Sequence, residues 1–336
     1  MIRPLKIFDF DPSDYADTYR AKQWVHIREG VSEEFHQVLL RYASDELNDH
    51  LLGSFAIKGK KEQSLFEFPD DADYPNELFD IVAEVCGLNR AAMTLSERHI
   101  QCYEANAAPD PPAHKDRFPS QVSVGLSIDI PRESTLVLYP YEHRGVNAFN
   151  KAADFRSSLQ PDELPEVVLR TAREVELDDR PRDIVMFAGS STWHLRRRAA
   201  RSLNLYLYLK FNDFGCDPLG EDPRTAEQRD ATLSALGSSD DEKLDALIPV
   251  LSRRLDTVSR VHLRNGQETL QAELFGEQAF GITKLQFEML RSVDGQRPLA
   301  GAVAELAGLA EATEARAAFV YLADRGAIEL VPSRGS

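Results

Sequence analysis

The 336-residue chain has little cysteine. Cys86, Cys102 and Cys216 are its whole complement, scattered, odd in number and without a Cys-x-x-Cys pair, which argues against a disulfide framework and against a zinc ribbon. It also lacks any apolar run near the ~20 residues that span a bilayer, and Met1-Ile2-Arg3-Pro4-Leu5-Lys6 is not followed by the apolar stretch of a signal peptide. A cytoplasmic protein with no membrane partner is therefore expected. Basic residues are in deficit as well: 39 Lys and Arg stand against 55 Asp and Glu, a net charge of −16. Nucleic-acid binding rests on basic surface, so this balance argues against a nucleic-acid partner. There is no internal repeat and no low-complexity tract.

What is present is ordinary globular material, 43% apolar, in a length that suits one large or two smaller domains. Tyr19–Ile27 reads as a short strand. Phe35, Val38, Leu39, Tyr42 and Leu47 share one helical face behind Ser32 as N-cap. A second helix places Leu78, Ile81, Val82 and Val85 inward and ends at Gly87. From Glu97 the period changes to two. His99–Tyr103 is strand-like, and residues 121–130 carry an apolar side chain at every even position. Residues 135–139, 174–177, 184–187 and 201–211 supply further strands, while 141–171 interrupts the pattern with a helix-compatible insertion. The pattern predicts an antiparallel barrel or jelly roll preceded by two helices.

Phe214–Pro223 reads as a boundary, giving expected domains of 1–213 and 214–336. Beyond it, Leu244, Leu247, Ile248, Leu251 and Leu255 fall at helical spacing, with Pro249 expected to kink or split that helix. Residues 261–264 and 269–274, separated by Asn265-Gly266-Gln267, predict a hairpin. Helices over 283–293, 299–309 and 314–324, then a strand at 327–331, follow in the order of a winged helix-turn-helix.

Two segments carry chemistry. His114-Lys115-Asp116 lies between the Pro-rich run Ala107–Ala113 and the alternating strand. Pro181-Arg182-Asp183 turns into the apolar run Ile184–Phe187, which leads to Trp193-His194. A His-x-Asp alone is most often a solvated polar pair. Set on a strand edge, however, both side chains point to one side of the backbone. With a second His from a neighbouring strand they make the donor set that holds non-haem Fe(II) on one face and leaves open positions opposite. A lone His in a β-domain is more often structural, and His99 and His143 are read so.

On these residues the sequence resembles the Fe(II)/2-oxoglutarate-dependent oxygenases, broadly their phytanoyl-CoA-hydroxylase-like and prolyl-hydroxylase-like branches, over roughly residues 18–212. His114, Asp116 and His194 stand in the ligand positions. The turn before the last ligand strand, usually Pro-Gly-Asp there, is Pro181-Arg182-Asp183 here. The resemblance implies an α+β fold with a double-stranded β-helix (jelly-roll, cupin-like) core flanked by N-terminal helices. It implies Fe(II) as cofactor, 2-oxoglutarate as cosubstrate and O₂. The reaction it implies is hydroxylation of an unactivated C–H bond in a small molecule, an amino acid or a peptide- or carrier-bound residue, releasing succinate and CO₂. Asp116 favours hydroxylation, because relatives that halogenate have a small residue there. The cosubstrate's distal carboxylate needs a cation, with Arg196, Arg197, Arg198 and Arg201 as candidates. Arg201 with Ser202 is the first choice, since Arg201 begins the predicted strand and a guanidinium grips a carboxylate bidentately. Arg198 is the alternative by strand parity. Gln101, Tyr103, Thr135 and Tyr139 are further candidate contacts to the oxo acid or substrate. The C-terminal region resembles the winged-helix tails of JmjC-type ribosomal oxygenases and small peptide-binding modules, which implies dimerisation, or grip on a peptide or carrier, beside a purely buttressing role. The rival reading is a non-catalytic cupin-like metal or ligand sensor joined to a winged-helix regulatory domain.

Overall fold

The computed structural model describes residues 4–45, 61–88, 90, 93–117, 120–149, 152–210, 223–238, 240–252, 254–262, 265, 267–274 and 278–332. In chain order, α1 (Ser13–Lys22), β1 (Trp24–Ile27), α2 (Glu33–Asp45), β2 (Lys61–Leu65) and α3 (Tyr74–Cys86) precede the long strand β3 (Thr94–Tyr103). Then come β4 (Val122–Asp129), β5 (Thr135–Tyr139), α4 (Ala152–Ser158), α5 (Pro165–Val168), β6 (Val175–Leu177), β7 (Ile184–Phe187), β8 (Trp193–Arg197) and β9 (Leu203–Lys210). The remainder is α6 (Pro223–Leu236), α7 (Asp241–Ala246), β10 (Ile248–Leu251), β11 (Leu255–His262), β12 (Glu268–Leu274), β13 (Phe280–Ile282), α8 (Lys284–Ser292), α9 (Leu299–Glu305), α10 (Ala312–Asp324) and β14 (Ile328–Val331). The chain forms two compact units. One holds residues 1–115, 120–144 and 165–209, the other 116–119, 145–164 and 210–336. The second unit thus takes in most of the 141–171 insertion as well as the C-terminal region.

In the first unit a six-stranded sheet, ordered β1-β7-β4-β9-β3-β2, faces a three-stranded sheet, β6-β5-β8. Their described pairings are antiparallel. Leu136, Leu138 and Leu177 of the smaller sheet pack on Val185 and Phe187 of the larger, with Trp24 and Val175 at the margin. The alternation in β4 separates two buried faces instead of an inner and a wet one. Val122, Val124, Leu126 and Ile128 form the apolar face, and Ser123, Gly125 and Ser127 the small polar one. Polar residues of that second face reach the space between the sheets, where they can serve chemistry.

The two N-terminal helices form as their caps dictate. The Ser32 hydroxyl accepts from Phe35 N at 3.1 Å at the start of α2, and Gly87 ends α3 with φ +67°, a left-handed angle that glycine adopts without a Cβ clash. Leu78 and Val82 are fully buried on α3. Leu47, predicted on the face of α2, and most of the 214–223 boundary lie outside the described residues. Cys86 and Cys102 are not disulfide-bonded.

Three expectations are corrected. Residues 19–22 belong to helix α1, with only 24–27 extended. Gln23 adopts φ +63° as the helix C-cap, so the strand cannot begin before it. The leucine series from 244 to 255 is not one helix: α7 stops at Ala246, and Ile248–Leu251 form a strand paired with β14. Pro249 has no N–H for a helix, and all four residues of the strand that contains it are buried. The strand expected from Arg201 begins at Leu203, and Arg201 sits on a turn at φ +65°. The expected hairpin is present, β11 pairing with β12 from Leu255↔Leu274 to His262↔Glu268. The second unit also contains the two-stranded β10-β14 sheet, the three-stranded β11-β12-β13 sheet, and helices α6 to α10.

Arg182, in the Pro181-Arg182-Asp183 turn, has φ +74°. Its N–H donates to Ser127 O, and its Nε–H to Val31 O at 3.0 Å. A non-glycine residue in this region costs roughly 1–2 kcal/mol. The lost Nε bond is worth about 1 kcal/mol. Arg182→Gly is therefore expected to keep unfolding stability within about 1 kcal/mol of wild type. Arg182→Val, with a branched Cβ, should fall below it by about 1–2 kcal/mol in urea titrations.

Candidate metal centre

His114 and His194 are brought together by the backbone. Each donates its N–H to the other's carbonyl at 2.9 Å, an antiparallel bridge on the edge of β8. Their rings stand 4.4 Å apart. Asp116, two residues on, keeps the parity of His114. One donor atom from each of His114, Asp116 and His194 falls within 4.8 Å of the others. Asp116 and His194 are buried and His114 is half-buried. Lys115, between the first two, is buried on other partners, its Nζ donating to His143 O at 2.6 Å and lying over the Trp193 ring.

The His194 ring is oriented by a backbone contact. Its Nδ1 lies 2.9 Å from Thr192 O. A carbonyl can only accept, so Nδ1 carries a proton, and in the neutral ring Nε2 is then the nitrogen that would face a metal. Phe187 meets the same ring edge-on at 4.8 Å. Two imidazoles and a carboxylate at this spacing suit Fe(II), with positions left for a bidentate ligand and O₂.

Strand parity places a second group on the same side. On β8, His194 and Arg196 share one face, pairing with Leu138 and Leu136 of β5. Arg196 is 4% exposed. Its Nη1 and Nη2 donate end-on to Asp179 at 3.0 and 2.8 Å, while its buried Nε–H has no hydrogen-bond partner among the described residues. Burial resists ionisation of Asp179, but the Arg196 charge and the Ser127 hydroxyl outweigh it and hold that carboxyl below its usual range. Burial likewise opposes the charge on Arg196, and Asp179 more than compensates. Arg196 and Asp179 line a small recess with Gly125, Leu136, Val185, Phe187, Asn204 and Tyr206. The recess owes its room partly to glycine, since a Cβ at Gly125 would come within 2.9 Å of the Tyr206 ring.

The other predicted contacts divide. Tyr103 is buried, its hydroxyl pushed well up by burial and by Tyr206, with Arg196 acting in the opposite sense. Gln101 shares that face of β3, its Nε2 2.9 Å from His99 Nε2. Thr135 and Tyr139 face the other way. Thr135 donates to Glu176 and Tyr139 to Glu174, and Arg197 pairs with the same two glutamates. Arg198 and Arg201 are both exposed on the turn between β8 and β9, with φ of +50° and +65°, and the Ser202 hydroxyl donates to Ala199 O. The structure therefore does not gather Arg198, Arg201, Ser202 or Thr135 around the triad. The signal for Arg196 was present: counting in twos from His194 reaches it, once residues 193–197 are read as a strand.

No family model and no curated protein matches the sequence. Solved structures similar in fold include the non-haem α-ketoglutarate-dependent carbocyclase SnoK from nogalamycin biosynthesis, at 14% identity and TM-score 0.45, over 64% of this chain and 89% of that one. A Pseudomonas putida prolyl-4-hydroxylase is similar at 12% identity and TM-score 0.43, over 60% and 99%. EctD from S. alaskensis, solved with 2-oxoglutarate and 5-hydroxyectoine, is similar at 13% identity and TM-score 0.41, over 63% and 83%. These similar folds thus include a non-haem α-ketoglutarate-dependent carbocyclase, a prolyl hydroxylase and a protein solved with 2-oxoglutarate bound.

Proposed function

We propose that the protein is an Fe(II)- and 2-oxoglutarate-dependent dioxygenase that hydroxylates a C–H bond of a small molecule, an amino acid or a peptide- or carrier-bound residue. The observation that carries this reading is the His114, Asp116 and His194 donor set, with the His194 ring oriented by its bond to Thr192 O. Bound there with 2-oxoglutarate and O₂, iron would supply an oxidant able to cleave an unactivated C–H bond. The chain's own part is to hold and orient.

Arg196 is assigned the cosubstrate's distal carboxylate, in place of Arg201. Residues two apart on a strand are about 6.6 Å apart along it, on the scale of a five-carbon diacid. Because Asp179 takes the end of the guanidinium, the Nε side remains for a second carboxylate, a bidentate grip that lysine could not reproduce. Gln101, Tyr103, Asn204 and Tyr206 are the polar groups that would border the oxo acid. The C-terminal region is read as winged-helix-like, with homodimerisation through it as part of the same proposal, and the cell compartment as the cytoplasm.

Anaerobic addition of Fe(II) and then 2-oxoglutarate to metal-free protein should produce a weak visible charge-transfer band, and air should convert 2-oxoglutarate to succinate and CO₂. Asp116→Ala should remove both. A protein that binds metal and oxo acid yet forms no succinate in a screen of amino acids and peptides would be the sensor instead.

A further inference from the structure

We infer that Asn147 is a positioning residue for the Asp116 ligand, and that helix α8 of the C-terminal region holds it in place. The inference rests on the metal-site reading above. The unit that carries α8 also carries residues 116–119 and 145–164, and a chain of contacts within it leads from the helix to the ligand.

The chain starts at the Asn147 side chain, which is 0% exposed. Its Nδ2 donates to Asp116 O at 2.9 Å, and its Oδ1 accepts from Phe149 N at 2.9 Å. One partner is a pure acceptor and the other a pure donor, so the amide has a single orientation. Fixing the Asp116 carbonyl restricts the backbone from which the carboxylate projects. The bond ties the ligand's backbone to a residue 31 positions away in the chain.

Asn147 is in turn fixed by its neighbours. Val146 N donates to Arg291 O, the last turn of α8. Phe149, also 0% exposed, meets Phe155 and Phe287 rings at 5.9 and 6.4 Å. The Arg291 guanidinium ties Glu163 at 3.0 Å to Glu288 at 3.1 Å and lies over both Phe155 and Phe287. The helix behind these contacts is well anchored. Thr283 and Gln286 form a reciprocal capping box at its start, and Phe287, Met289 and Leu290 are fully buried. Groups that orient a metal ligand typically change metal affinity ~10–100-fold when lost. On this reading the C-terminal region is part of the metal centre's scaffold, and its sequence constrains the iron site.

The test is titration of metal-free protein with Co(II), read by visible absorbance, beside the melting temperature of the metal-free form. Asn147→Ala should weaken Co(II) binding ~10–100-fold and alter the band shape, while His114→Ala removes the bands. Arg291→Ala, remote from the ligands, should weaken binding in the same direction. Arg316→Ala, which breaks pairs with Asp241 and Asp245 elsewhere in this unit, should leave affinity unchanged. If Asn147→Ala does not fold, Arg291→Ala decides alone. Binding within twofold of wild type in both variants, with His114→Ala still null, overturns the inference and leaves the metal site standing. A wild type that gives no Co(II) bands overturns the metal site itself.

Discussion

His194→Ala is expected to reduce Fe(II) affinity by more than ~100-fold, beyond the ~10–100-fold that loss of an outer partner costs, and to abolish succinate formation. The argument is geometric. His194 is the ligand that comes from a different strand from His114 and Asp116, so without it the remaining pair can offer an ion two adjacent donors and no closed face. Two other histidines separate this from general imidazole binding. The His99 ring is committed to Gln101 and to an edge-on contact with Tyr208 at 5.1 Å, and His143 is exposed with φ +54°. His143→Ala and His99→Ala should keep wild-type affinity in chelator competition. Unchanged affinity in His194→Ala would remove the triad as the metal site.

Arg196→Ala should do two separable things. It strands Asp179, whose side chain is 1% exposed, as an unpaired buried charge, and breaking such a pair costs about 3–5 kcal/mol. It also deletes the cation assigned to the oxo acid. The double variant Arg196→Met/Asp179→Asn distinguishes the two effects, because an apolar and neutral pair in the same space restores much of the stability. That double variant should melt near wild type and still need ~10–100-fold more 2-oxoglutarate for half-maximal turnover, the ~1.5–3 kcal/mol of a hydrogen bond to a charged group. Arg201→Ala and Arg198→Ala, on the exposed turn, should leave that requirement unchanged. A rise in Arg201→Ala with none in the double variant would return the anchor to Arg201.

The grouping of His114, Asp116 and His194 was legible because its signals are local. His-x-Asp lies beside an alternating strand, and His194 follows a turn and a short apolar run. Ser32 and Gly87 marked their helix ends for the same reason, through cap chemistry that acts within a few residues. The recess was not legible as such. Arg196, Arg197 and Arg198 in sequence look like a solvated turn, yet one is buried, one is ion-paired on the outer face and one is exposed. Three fates for three consecutive arginines follow from strand parity and from where β8 ends. The 244–255 series misled because leucine spacing in a short buried strand and in a helix coincide, and the missing N–H of Pro249 was the better guide. For Asn147 the bond to Asp116 had no local signal, since that partner lies 31 residues away in the chain.

The reciprocal backbone bridge between His114 and His194 has a further meaning for the life of the protein. Their spacing is kept by main-chain bonds, unlike small zinc modules in which the ion itself drives folding. Iron oxidation or chelation would then be an injury to the cofactor and not to the polypeptide, leaving a folded protein ready to be reloaded.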